Sequence, residues 1–326
     1  GLRTYMEIDV VFMWVDGSDP KHRNKMNTYL NAKKELSSKE IKSRYNQVDE
    51  IEFAVKSVIK NASFVRNIFI LTDNQVPKFL LDKEQRNSLY KKVKMVDHTD
   101  VFKGYEECLP TFNSRAIASM LYKIPGLSEH FICMCDDFFL INKTSPEDYF
   151  KNNVPRLRGE WKSFDENILH KKVYRSFLKL IGKPKKESFA GHFKAQQIIA
   201  KKLGFKKYYK LHHVPMPMRK STFKKYFEEN PNEFINNISH RFRHPSQFLT
   251  ESLVNHLEIK NNSFELLKDY QLVYIQNFKK PFFWLKYKIL KRSKNQNKLF
   301  LCLQSLDQAP ENKLNFILNW FELKFK

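Results

Sequence analysis

The first half of the chain alternates between two periods. Ile8–Val15 (IDVVFMWV) is an unbroken apolar run rich in β-formers, and Asp16-Gly17-Ser18-Asp19-Pro20 stops it with a turn. Residues 21–44 are polar, Lys-rich and without a clear period, which predicts a mobile excursion. From Asp49, apolar residues at Ile51, Val55, Val58 and Ile59 carry helical spacing. Asn67–Leu71 predicts a buried strand and Val93–Val96 a short one. Asn113-Ser114 can cap a helix through Ile117, Leu121 and Ile124 that Pro125-Gly126 would end. His130–Cys135 is the next strand, and it runs directly into Asp136-Asp137. Strands alternating with helices predict an α/β fold with a mixed, mainly parallel sheet flanked by helices.

The second half reads differently. Lys194–Leu203, Ser221–Phe227, Pro231–Asn237, Gln247–Leu257 and Glu311–Phe325 carry helical patterns. No Pro/Gly/Ser linker separates the halves, so two lobes of one unit are expected: residues 1–155, and a mostly helical lobe of residues 156–326.

Charge sharpens this division. Residues 1–150 hold 22 basic and 21 acidic side chains, leaving 36 and 14 for the remainder of a chain whose net charge is +23. So one-sided a surface suits a polyanion: a phosphate-rich glycan, an anionic membrane or a nucleic acid. Lys279–Lys298 mixes aromatics with basic residues and holds no acidic one, which makes it the expected membrane contact.

Several classes drop out. An apolar content of 42% is too high for a disordered chain, and eight glycines exclude collagen-like or Gly-linker architectures. No apolar run reaches the ~20 residues that span a bilayer, and no secretory leader pattern opens the sequence. The four cysteines form no Cys-x-x-Cys pair, which points to a reducing compartment. A protein of the cytosol, or of the cytosolic face of a membrane, is expected. The Gly-rich phosphate loops of P-loop and dinucleotide enzymes and the Gly-x-Ser-x-Gly elbow are absent.

Five places could carry chemistry. Asp136-Asp137 at a strand end could hold Mg²⁺ or Mn²⁺ against a diphosphate, or simply form a turn. Asp16-Gly17 could meet a nucleoside, although Asp-Gly turns are common. Asn113-Ser114-Arg115 opens a helix, where phosphate is favoured, or is an ordinary cap. His213, before Val214-Pro215, could be a general base or a structural histidine. Arg241 and Arg243, two apart, could grip a diphosphate or sit in a solvated turn.

Taken in order, these pieces resemble the Stealth family, which includes bacterial capsule polymerases that transfer hexose-1-phosphate. Its four blocks look like Ile8–Pro20, then Arg44–Phe150 with Arg44-Tyr45 and Thr72–Pro77, then His213–Leu257, then Cys302–Phe325. The chain departs from the usual pattern at Ala118, where relatives carry an acid, at Cys135, and at Gln304-Ser305. The resemblance implies a GT-A-like nucleotide-sugar lobe. It also implies a reaction: transfer of a sugar-1-phosphate from a nucleotide-sugar donor, most simply UDP-N-acetylhexosamine, to a hydroxyl of a phosphoglycan acceptor, with release of UMP.

It assigns roles too. Asp136 and Asp137 would hold Mg²⁺ or Mn²⁺. Arg243, with Arg115 or Arg241, would stabilise phosphoryl charge, and His213 would take the acceptor proton. Asp16, Gly17, Arg44, Gln75, Asn113 and Ser114 would contact substrate. The place of work would be the cytosolic face of a bacterial inner membrane. Two rivals are an ordinary glycosyltransferase releasing UDP and a non-enzymatic basic protein. For the latter no nucleic-acid motif is present, and no nucleic-acid partner is expected.

Overall fold

A computed structural model of the chain describes residues 6–30, 48–182 and 191–326. Its strands, in chain order, are β1 (Ile8–Met13), β2 (Val65–Thr72), β3 (Val93–Asp97), β4 (His130–Met134), β5 (Phe138–Leu140), β6 (Phe150–Lys151), β7 (Val154–Lys162), β8 (Tyr208–Leu211), β9 (Met216–Arg219), β10 (Glu265–Leu267), β11 (Leu272–Ile275) and β12 (Phe300–Leu303). The central sheet has the order β3-β2-β1-β4-β9. The first four strands run parallel, and β9 closes one edge antiparallel to β4, with Cys133 opposite Met216. This is the mixed, mainly parallel sheet expected.

Both faces of that sheet are buried, as its side-chain alternation requires. Val10, Phe12, Ile68, Ile70, Ile132 and Met134 point into one core, which the helix Glu50–Asn61 and the C-terminal helix Glu311–Lys324 cover through Phe53 and Phe321. Val11, Phe69, Leu71, Phe131 and Cys133 point into the other, covered by Phe223, Phe227, Phe234 and Leu253 from helices beyond residue 200. Strands from both sides of residue 155 also share a smaller sheet, β11-β12-β5.

Two segments differ from the sequence reading. The polar stretch after the first turn begins with a helix, Pro20–Tyr29, nucleated by Asp19, whose carboxylate accepts from the Lys21 N–H, with Pro20 in the first turn. The helix after Asn113 covers only Ser114–Ser119, and the chain tightens into a 3₁₀ turn at Leu121–Lys123 before Pro125. Helices occupy the second half where expected, and an additional one runs from Leu169 to Leu180.

Candidate active site

The chain passes from β1 to β2 and β3 on one side, then returns to β4 on the other side of β1. Open α/β sheets bind ligands at such a switch point, beyond the carboxyl ends of the strands. Asp16 follows β1 there, and Asp136 and Asp137 follow β4. Because β9 runs antiparallel with its first residue beside Cys133, the residues before it, including His213, come to the same end. The sheet thus gathers residues far apart in sequence.

Asp136 and Asp137 stand at this end of the sheet, just beyond β4. Solvent reaches both, yet protein surrounds them on most sides. Burial pushes the Asp136 carboxyl up to about 6. Burial, joined by the charge of Asp136, pushes Asp137 up to about 7. Glu50, at the start of the helix packed on β5, is buried, and burial together with Asp136, Asp137 and Asp307 raises its carboxyl well above the usual range. A cation beside the aspartates offsets this stored repulsion, so the donor set suits a hard divalent ion. Among the described residues no group of three or more His, Cys, Asp or Glu side chains is arranged to hold one. Any such ion would therefore draw its remaining ligands from substrate oxygens and water, as Mg²⁺ commonly does. Nearby, the Leu303 N–H donates to the Asp137 carbonyl at 3.1 Å and fixes the start of the loop after β12.

That loop carries Gln304, whose amide donates to His213 Nδ1 at 3.2 Å. The His213 ring also stacks on Tyr274, with centroids 4.7 Å apart and planes 11° from parallel. Burial, then the charges of His212 and Lys210, lower the His213 pKa, so the ring is neutral near pH 7. His192, at the rim, lies 6.4 Å away centroid to centroid. Burial and the charges of His213, Arg243, Arg115 and Lys210 push it down to about 4.

Arg115 and Arg243 supply positive charge. Arg115 is buried, and burial plus the charge of Arg243 lowers its guanidinium to about 10, opposed by Glu251. Arg243 is exposed. Glu251 lies buried at the start of the helix Thr250–Lys260. Burial raises its carboxyl, and the two arginines act in the opposite direction.

Across from this cluster lies a cavity of about 290 Å³ walled by Trp14, Gly17, His22, His98, Phe112 and Ser114, among others. The turn beside it is held rigidly. Gln75 accepts from the Asp16 N–H at 2.9 Å and donates to the Asp16 carbonyl at 2.9 Å and to Asp19 at 3.1 Å. Asp16 accepts from the Ser18 N–H and hydroxyl. Below, Asp73 takes Lys25 at 3.1 Å and His22 at 3.4 Å.

The structure therefore brings Asp16, Gly17, Ser114, Arg115, Asp136, Asp137, His213 and Arg243 to one end of the sheet. Three other expected substrate contacts use their polar atoms on the protein. Gln75 clamps the Asp16 turn. Asn113, fully buried, accepts from the Arg115 N–H and donates to the carbonyls of His240 and Phe242 and to Gln247. Arg241 donates to the Pro110 carbonyl at 2.7 Å and lies over the Tyr29 ring. Arg44 lies outside the described residues. Sequence reading missed Glu50, His192, Glu251, Tyr274 and Gln304. Two of these carried a signal: Glu50 as part of Asp49-Glu50 in the second block, and Gln304 as a departure inside the fourth. Ala118, another departure, is packed into the core, 1% exposed.

Comparison with known proteins adds identity to this geometry. Residues 6–34 match the model of Stealth protein conserved region 1, and residues 44–157 match that of conserved region 2. The chain carries conserved regions 1 and 2 of the Stealth family. Similar proteins include a capsular polysaccharide phosphotransferase, cps1A, of Actinobacillus pleuropneumoniae, 42% identical over 45% of this chain and 39% of that protein. An exopolysaccharide phosphotransferase of Streptomyces coelicolor is 31% identical over 76% of this chain and 39% of that protein. A capsular polysaccharide phosphotransferase of Neisseria meningitidis serogroup B is 32% identical over 74% and 61%. The matched part thus spans about two fifths of the first two relatives. Among solved structures, this chain is loosely similar in shape to the galactosyltransferase LgtC, with a TM-score of 0.47 and 9% identity over 97% of this chain and 95% of that one. Both Stealth regions lie where the geometry gathers Asp16 and the aspartate pair.

Proposed function

We propose that the protein transfers a sugar-1-phosphate from a nucleotide-diphosphate sugar to a hydroxyl of a capsule-type glycan, forming a phosphodiester and releasing a nucleoside monophosphate. The observation that carries this reading is the convergence of Asp136, Asp137, His213, Arg115 and Arg243 at the switch point, beside a cavity at the Asp16 turn. The phosphotransferase names of the relatives support it.

In this reading the cavity takes the base and ribose, with the Asp16 turn as its lip. UDP-N-acetylhexosamine is the donor we favour, and a GT-A-like lobe of residues 1–155 holds it. Asp136 and Asp137 would hold Mg²⁺ or Mn²⁺, which supplies charge neutralisation for the diphosphate. Neutral His213, with its own proton on Nδ1 toward the Gln304 amide oxygen, accepts the proton of the attacking hydroxyl at Nε2. That oxygen bonds to the sugar-proximal phosphorus as the bond from this phosphorus to the bridging oxygen breaks. Arg115 and Arg243 face the charge on the phosphoryl oxygens, where a fixed guanidinium stabilises the transition state most. The basic second lobe, residues 156–326, grips the acceptor's phosphodiesters. Lys279–Lys298 adds charge toward an anionic membrane, and the cytosolic face of the bacterial inner membrane is the site of work.

The test is product identity. Incubation with Mg²⁺, UDP-N-acetylglucosamine and a short phosphoglycan should yield UMP only when acceptor is present. Asp137→Ala and His213→Ala should each lower the rate by 10²-fold or more, on the order expected for lost charge stabilisation or a lost base. Release of UDP instead would make the protein an ordinary glycosyltransferase.

A further inference from the structure

Among the described helices of eight or more residues, only Leu169–Leu180 buries none of its side chains. Leu169, Val173, Phe177 and Leu180 are 76%, 60%, 56% and 85% exposed. At about 100° per residue they fall within an arc of roughly 80°, one continuous apolar stripe. Leu178 and Lys171 lie on the opposite side and are only partly exposed, and Lys171 is held to Asp165. The apolar stripe therefore points away from the body of the protein. Among the described residues nothing covers it.

The helix also carries Lys171, Lys172, Arg175 and Lys179, and no acidic residue. Lys172 and Lys179 line one border of the stripe, Arg175 lies near the opposite side with Lys171, and Tyr174, 56% exposed, stands beyond the other border. A second copy packed here would bring like-charged flanks together, on a chain of net charge +23. An anionic bilayer satisfies both features, taking the stripe into its acyl boundary and the lysines among its headgroups.

We propose that Leu169–Leu180 is an interfacial helix that docks the protein on an anionic lipid surface. It deepens the membrane contact proposed above and is independent of the transfer chemistry. Lys279–Lys298 is poorer in this respect. Its helix Phe282–Leu290 buries Leu285 and Ile289, and lysines lie over the rings of Trp284 and Phe282. That segment exposes only a shorter stripe, Phe283, Tyr287 and Leu290, on a helix otherwise anchored in the core.

Co-sedimentation of the full chain with vesicles tests this. Vesicles of 7:3 phosphatidylcholine to phosphatidylglycerol are compared with pure phosphatidylcholine, at low and high salt. The wild type should bind the anionic vesicles at least tenfold better, and high salt should weaken that binding. The double variant V173D/F177D should lose at least tenfold, with an unchanged thermal melt and unchanged UMP release on a soluble acceptor. Equal binding by variant and wild type, or no wild-type preference for anionic vesicles, overturns the proposal. So does a concentration-dependent dimer that the same variant dissociates, since a second copy would then be the occupant. Failure of UMP release in both proteins, with vesicle binding intact, would count against the transfer reading alone.

Discussion

The Gln304 side-chain amide donates to His213 Nδ1 at 3.2 Å, across 91 residues of sequence. With Nδ1 accepting, a neutral imidazole keeps its proton on Nε2. An amide turned by 180° would instead accept from Nδ1–H and leave Nε2 as the open base. With the amide donating, no ring nitrogen is left open, so the base role proposed for His213 requires the turned amide; Gln304 decides the tautomer, a role that neighbouring groups commonly fill for histidine. Oxygen and nitrogen of such an amide are assigned through the network around them, so substitution is the direct probe.

Gln304→Glu fixes the accepting arrangement. It should retain activity and move the acid limb of the kcat/KM profile to higher pH, because a carboxylate stabilises the imidazolium. Gln304→Leu should lower kcat about tenfold, within the usual span for a base left unoriented, and leave the limb below the ordinary histidine value. A pH-rate series on the three proteins checks both.

His256 predicts acid lability of the fold. Its ring is fully buried, accepts from the Tyr209 N–H at Nε2 (3.0 Å) and donates from Nδ1 to the Ser252 carbonyl (2.7 Å). Protonation would set an N–H against an N–H, and burial holds the pKa down at about 4. The unfolded chain binds this proton near 6.5, so the neutral ring's contribution is complete above that value and is lost as pH falls from 6.5 toward 4. The loss should reach about 2 kcal/mol by pH 5 from this group. Urea melts at pH 7.5, 6 and 5 measure it.

Asn113 ties two loops of the site to one point. Asn113→Ala removes the helix cap and takes a donor from the His240 and Phe242 carbonyls, while Gln247 keeps the His244 N–H. About 3 kcal/mol of stability should go, at 1–3 kcal/mol for each stranded buried group after partial rehydration. Arg243 sits on the freed segment, so donor KM should rise. Denaturant melts and steady-state kinetics separate the two effects.

The sheet was legible because β1, β2 and β4 are apolar runs buried on both faces, each broken by a turn. The aspartate pair was legible because it ends such a run, and Asn113 because capping is a local rule. The segment around His213 was harder. Pro215 and Pro217 argue against a strand, yet β9 lies on a sheet edge, where proline is tolerated. Helix Pro20–Tyr29 was hidden by its polar composition, and its cap at Asp19 was the only cue. Glu50, Glu251, Tyr274 and Gln304 belong to the site through contacts across the sheet, which no spacing along the chain records. Asn113 and Gln75 were visible as polar residues in the right loops. That their polar atoms face the protein depended on partners as distant as Gln247 and Asp16.

The central claim is attack at phosphorus, and the fate of one atom decides it. The measurement is to supply UDP-N-acetylglucosamine labelled with ³²P at the sugar-proximal phosphorus, together with Mg²⁺ and a phosphoglycan acceptor. The label should enter the glycan, in a bond stable to phosphomonoesterase, with unlabelled UMP released in equal amount. Label recovered in UDP, with an unlabelled sugar added to the glycan, would contradict the account.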